Sequence, residues 1–204
     1  MSRLAKLTPD TLDDAQRQAY ELIVASRTPN QMTAAQAEAY AEILGTKEQT
    51  FNLGGPFNAF LRCPDLATLV AKMGSFFRFG TSLPPRWVEL AILTTARFWT
   101  AQYEWYAHAR FASAAGVEDH IIDAIRGNQR PEFEDKDDEA VYEFCSQLHK
   151  SRQVTDQAYD AVTELLGERG VVELTGLIGF YTMISINLNT DQVSVPEGEE
   201  LPPG

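Results

Sequence analysis

Three features of the chain predict an all-α fold. Apolar residues recur at helical spacing in segment after segment. Thr, Pro and Gly punctuate those segments where helices start and stop. No stretch alternates apolar and polar residues with the period of two that a half-buried strand requires.

Thr8-Pro9-Asp10 opens the first helix, with Thr8 as cap and Pro9 in the first turn. It is expected from Asp10 to Ser26, with Leu12, Ala15, Ala19, Leu22 and Ile23 on one face, and Thr28-Pro29-Asn30 breaks it. A second helix is expected over 33–45, ended by Gly45, and Asn52-Leu53-Gly54-Gly55-Pro56 has the composition of a loop. Phe57 to Arg62 forms a short apolar helix. Cys63-Pro64-Asp65 then starts a longer one, with Leu66, Leu69, Val70, Met73, Phe76 and Phe77 at helical spacing, and Gly80 to Pro85 stops it.

From Arg86 a strong helix carries Val88, Leu90, Ala91, Leu93 and Ala96. Another covers Ala101 to Ala115, closed by Gly116 as C-cap. Val117 to Arg126 is short, and Gly127-Asn128 ends it. Arg130 to Asp138 reads as a charged loop, Glu139 to Lys150 as an amphipathic helix, and Thr155 to Leu166 as a helix capped by Thr155 and broken by Gly167 and Gly170. Glu173 to Leu188 is the most apolar helix and is expected at the centre. The acidic tail with Pro196, Pro202 and Pro203 is expected to be irregular.

The 204 residues suffice for one domain with a real core. Acidic residues number 29 against 17 basic, a formal net charge of −12, which disfavours nucleic acid and anionic membranes as partners. The same charge serves a solvated surface equally well. No run of 18 apolar residues is present, so no membrane span is expected, and no apolar signal region follows the first residues. Cys63 and Cys145 form no CxxC pair; both are expected as small buried thiols of a cytoplasmic protein.

The stretch that carries chemistry is Trp99 to Ala109. Glu104 and His108 lie four residues apart, one turn apart on the same helix face, among Ala101, Phe111, Ala112 and Ala115. Burying a carboxyl group and an imidazole on an apolar face is costly unless they bond each other or line a pocket. Such a histidine is poised for acid–base work. A purely structural ion pair has the same spacing. Glu89 supplies a second carboxyl group, but in one straight helix it is about 28 Å from His108 at about 1.5 Å per residue. The two share a site only if the chain reverses near Phe98 to Ala101, where Thr100 is a candidate N-cap, or if the site spans subunits. Otherwise Glu89 pairs with Arg86. His120 and His149 are expected in solvent, and three histidines without zinc-ligand spacing give no metal site. The Trp105 and Tyr103 rings suit core packing as well as a pocket wall.

These residues resemble the carboxymuconolactone decarboxylase family, which includes the AhpD-like alkylhydroperoxidases. The resemblance runs from Pro56-Phe57, Leu61 and Pro64 through Pro84, Arg86 and Glu89-Leu90-Ala91-Ile92-Leu93 to Tyr103-Glu104-Trp105, His108, Ala112 and Gly116-Val117. Gly176 to Met183 is similar to the family's closing helix. The resemblance implies an AhpD-like helical domain over 51–190, with residues 1–50 as an N-terminal helical extension and 191–204 as a tail. It implies a homotrimer or homohexamer with sites near subunit contacts, a small-molecule substrate and no cofactor. The peroxidase branch carries a Glu, a CxxC pair and then a His; here the two cysteine positions hold Ala101 and Glu104. Neither can form the thiolate that attacks a peroxide. The resemblance is therefore to the decarboxylase branch, a lyase or isomerase of small unsaturated acids or lactones. In it His108 donates or accepts the proton, Glu104 orients it, Glu89 relays, and Arg86 or Arg97 holds the substrate's carboxylate with Trp105 and Tyr103 nearby. A helical oligomer that binds a ligand or a partner without catalysis is the second reading.

Overall fold

The computed structural model describes residues 2–26, 54–199 and 201–203. The helix expected over 33–45 lies outside them. The described residues form helices and connecting turns, with no strand among them. In chain order the helices are α1 (Asp14–Ser26), α2 (Phe57–Phe60), α3 (Pro64–Phe79), α4 (Pro85–Phe98), α5 (Gln102–Ala114), α6 (Asp119–Arg126), α7 (Lys136–Ser151) and α8 (Asp156–Asp191).

The first helix starts later than the Thr-Pro-Asp signal suggests. Thr8 to Thr11 closes only one 3-10 turn, and Leu12 is extended. Asp13 is the working cap: its Oδ1 accepts the Gln16 N–H at 2.8 Å, while Gln16 Oε1 accepts the Asp13 N–H at 3.1 Å. Asp135 does the same for α7, accepting the Asp137 N–H at 2.9 Å, so that helix begins inside the expected charged loop.

The centre of the molecule is α4, not α8, which carries the apolar stretch Glu173 to Leu188 expected there. Leu90, Ala91, Ile92, Leu93, Thr95 and Ala96 have no exposure, and α3, α5, α6, α7 and α8 all pack on α4. Glu89, Thr94 and Thr95 make it look less apolar than α8; the two threonines bond back to Leu90 and Ala91 carbonyls at 2.8 Å. The long α8 merges two expected helices. Gly167, at φ 67° and ψ 172°, supplies the kink in a region only glycine occupies freely, whereas Gly170 is helical and buried. By length and composition α8 could cross a membrane, but 56% of its apolar stretch is buried inside the domain.

The expected face of α3 is divided. Ala67, Val70, Ala71 and Phe77 are buried, while Leu66, Leu69, Met73 and Phe76 face outward. The tail is irregular, yet it is tied down: the Gln102 side chain donates to Pro202 O at 3.0 Å, and Arg110 makes a two-pronged bond to Glu199. At the other end, Asn58 of α2 accepts the Leu7 N–H at 2.9 Å, and Asp191 accepts the Leu4 N–H at 2.7 Å.

Candidate functional site

The site depends on a turn that no glycine or proline marks. After α4 the chain passes through Thr100 at φ 48°, a left-handed conformation that costs a β-branched residue energy. The turn closes by bonds from Thr100 N–H to Arg97 O and from Ala101 N–H to Ala96 O. From α8, the Asn189 side chain donates to Trp99 O at 2.7 Å and ties the turn to the core. Ala101, not Thr100, is the extended residue that precedes α5. The reversal lays α5 back along α4 and brings Glu89 to His108.

His108 sits between two carboxyl groups. Its Nδ1 is 2.6 Å from Glu89 Oε2 on α4, and its Nε2 is 3.2 Å from Glu104 Oε1 one turn away on α5. All three side chains are 8% exposed or less. Phe111 and Tyr181 meet the imidazole edge-to-face, at centroid distances of 5.3 and 5.1 Å. Burial is the largest single influence on the ring and disfavours its charge. The attraction of Glu89 and Glu104, with their hydrogen bonds, outweighs it and pushes His108 up to about 9. The ring therefore carries a proton on each nitrogen at neutral pH, with Nδ1–H directed to Glu89 and Nε2–H to Glu104.

The two carboxyl groups have different surroundings. Glu104 and His108 line a largely apolar cavity of about 100 Å³, walled by α3, α5 and α8; Glu89 stands behind the ring and does not reach it. Glu89 makes the shorter contact with the imidazole, from outside the cavity. Glu104 is the one a ligand can meet. Because the carboxyl groups address opposite ring nitrogens, they do not converge with the ring on one ion. Among the described residues no group of three or more His, Cys, Asp and Glu side chains could hold a metal ion.

The other expected residues are dispersed. Tyr103 lines the cavity, its ring against Gly55, where an added Cβ would come within 2.7 Å of it; Gly55 is at φ 67°. Trp105 is 1% exposed in the core. Arg86 turns away from Glu89: its Nε donates to Asp138 at 2.9 Å, and its terminal nitrogen meets Asp138 and Glu118. The bonds to Asp138 hold its guanidinium further above its ordinary value, opposed by burial and helped by Glu118. Arg97 lies in a separate small cavity with Lys150 and His149.

His149 is not in solvent. Half-buried, it stacks on Phe98 at 4.6 Å and bonds Thr95 Oγ1 at 3.0 Å, and burial lowers it to about 4. His120 is exposed, as expected. Of the thiols, Cys145 is buried and pushed up by its burial, but Cys63 is exposed, at the position that precedes Pro64 and α3. Neither lines the cavity.

Sequence reasoning missed Arg78. It stands on α3 in the cavity wall, its guanidinium 4.9 Å from the Phe111 ring and 5.3 Å from Phe79. The adjacent Phe79 does not signal this, because the nearer ring, Phe111, comes from α5. The chain matches no known family model, no curated protein and no solved structure.

Proposed function

We propose that the protein is a cofactor-independent acid–base enzyme resembling carboxymuconolactone decarboxylase, a lyase or isomerase acting on a small unsaturated carboxylic acid or lactone. The observation that carries this is the buried Glu89–His108–Glu104 array at the wall of an apolar cavity. A protonated imidazole at that wall is a proton donor. In decarboxylation the C–C electron pair passes into the conjugated carbonyl as CO2 leaves. Nε2–H of His108 then protonates the carbon end of the resulting enolate, and solvent restores the proton. Apolar walls favour loss of the substrate's carboxylate charge. In isomerisation Glu104 accepts a proton from one carbon while His108 gives one to another. The 3.2 Å contact between them then returns the proton.

The test is a panel of small unsaturated acids and lactones incubated in D2O, read by NMR for CO2 loss or carbon-bound deuterium. Catalysis of either supports the proposal. If no compound reacts above the buffer rate, the array serves only to fasten α5 to α4. That outcome favours the non-catalytic helical binder.

We also propose self-association into a trimer or hexamer, supported by outward apolar side chains on the adjoining helices α3 and α8. Leu69 is 58% exposed and Val172 71%. Changing both Leu69→Lys and Val172→Lys is expected to shift the mass measured by light scattering from an oligomer to the monomer. A wild-type protein that is already monomeric at micromolar concentration contradicts this.

A further inference from the structure

Glu104 has one oxygen to spare in the cavity wall. Its side chain is 5% exposed, and its partner is the His108 ring, whose Nε2 lies 3.2 Å from Oε1. Oε2 has no partner among the described residues. A buried carboxyl oxygen without a donor is costly, so the space beside it favours a molecule that brings one. The bond from the ring to Oε1 is itself at the long end of hydrogen-bond distances, whereas Glu89 on the far side is 2.6 Å from Nδ1. A hydroxyl group answers both features, because its oxygen accepts from an N–H while its proton goes to a carboxyl oxygen. A carboxylate set directly on Glu104 brings two like charges together and is disfavoured there. Val70, Ala71, Ala107, Phe180 and Ile184 supply an apolar surround, and a cavity of about 100 Å³ admits one small ring.

We propose that the cavity binds an uncharged, ring-sized molecule through a hydroxyl group seated between Glu104 and His108, donating to Glu104 and accepting from the ring N–H. The ligand class is a phenol or enol, in preference to an apolar ring of the same shape that has no donor. That the bound molecule is a substrate, the enol or hydroxyl-bearing form of an unsaturated lactone, rests on the acid–base reading of His108; the binding preference does not.

The test uses phenol and toluene, alike in shape and different in their donor, each titrated calorimetrically into the full-length protein at pH 7, where phenol is neutral. Apolar walls alone favour toluene, the less polar of the two. Wild type is expected to bind phenol at least about tenfold more tightly than toluene, the scale of a hydrogen bond to a charged group. Glu104→Leu, similar in bulk and without an acceptor, is expected to weaken phenol at least about tenfold while leaving toluene within about twofold. Glu104→Gln, which keeps an acceptor, retains part of the preference. An unchanged preference in Glu104→Leu, or both ligands weakened together, overturns the proposal. Toluene bound as tightly as phenol by wild type, or no saturable binding of phenol, overturns it without reference to any variant. A phenol preference without turnover of any acid or lactone in D2O leaves the hydroxyl site standing and removes the acid–base reading. Turnover with no phenol preference does the reverse.

Discussion

Replacing His108 with Gln is expected to lower turnover of any acid or lactone the protein processes by at least about 100-fold, the scale set by loss of a positioned proton donor. The amide can still bridge toward Glu89, but it carries no transferable proton. The substitution also removes the cation from between two buried carboxyl groups, and breaking a buried ion pair in this way costs about 3–5 kcal/mol. Adding Glu104→Gln removes the second charge and is expected to recover much of that stability without recovering turnover. Denaturant midpoints and initial rates for the two single variants and the double variant separate the effects. Full turnover by His108→Gln contradicts the assignment.

The second large effect lies away from the cavity. Asp138 is 1% exposed and holds three elements together. It receives the Arg86 guanidinium from α4, and Arg86 also reaches Glu118 before α6. Asp138 Oδ1 also accepts the Trp87 indole N–H at 2.9 Å. It stands in the first turn of α7, where a negative charge suits the helix dipole, whereas Arg86 stands in the first turn of α4, where a positive charge does not. Asp138→Ala therefore leaves Arg86 with Glu118 alone at a helix end that disfavours a cation, and removes the acceptor of the partly buried Trp87 indole. A loss of about 3–5 kcal/mol in chemical denaturation is expected. Asp138→Asn, which keeps an acceptor for Trp87, is expected to lose less. A loss below about 1 kcal/mol for Asp138→Ala would remove the network from the account of stability.

The helices were legible because their signals are local. Helical spacing, Pro64 and Gly116 placed α3 and α5 within a residue or two, and Glu104 and His108 on one face followed from the four-residue spacing. What was not legible comes from tertiary contact. Thr100 adopts a left-handed turn conformation because Asn189 and the α4 end hold it there, so nothing in 98–101 announces the reversal that joins Glu89 to His108. Spacing shows Glu104 and hides Glu89, whose shorter contact with His108 depends on the chain reversal. Arg86 and Arg97 were the cations nearest in sequence, whereas the cavity takes its cation from α3. His149 reads as a helix-end surface residue until Phe98 and Thr95 enclose it. Hydropathy made α8 the expected centre, although position among neighbours gives that place to α4.

His108 is a buried imidazolium held between the carboxyl groups of Glu89 and Glu104. Its ordinary value is 6.5 and its value in the fold about 9, so its contribution to stability is complete below about pH 6.5 and is lost as pH rises through 9. His149 has the opposite sign: depressed to about 4, it contributes fully above 6.5 and loses its contribution as pH falls through 4. The two together place greatest stability near the middle of that range. The most direct measurement is an NMR pH titration of the His108 ring nitrogens, assigned by comparison with His108→Gln. The expected result is a doubly protonated ring at pH 7 that deprotonates near pH 9. A ring already neutral at pH 7, with a midpoint at or below 6.5, would contradict the account.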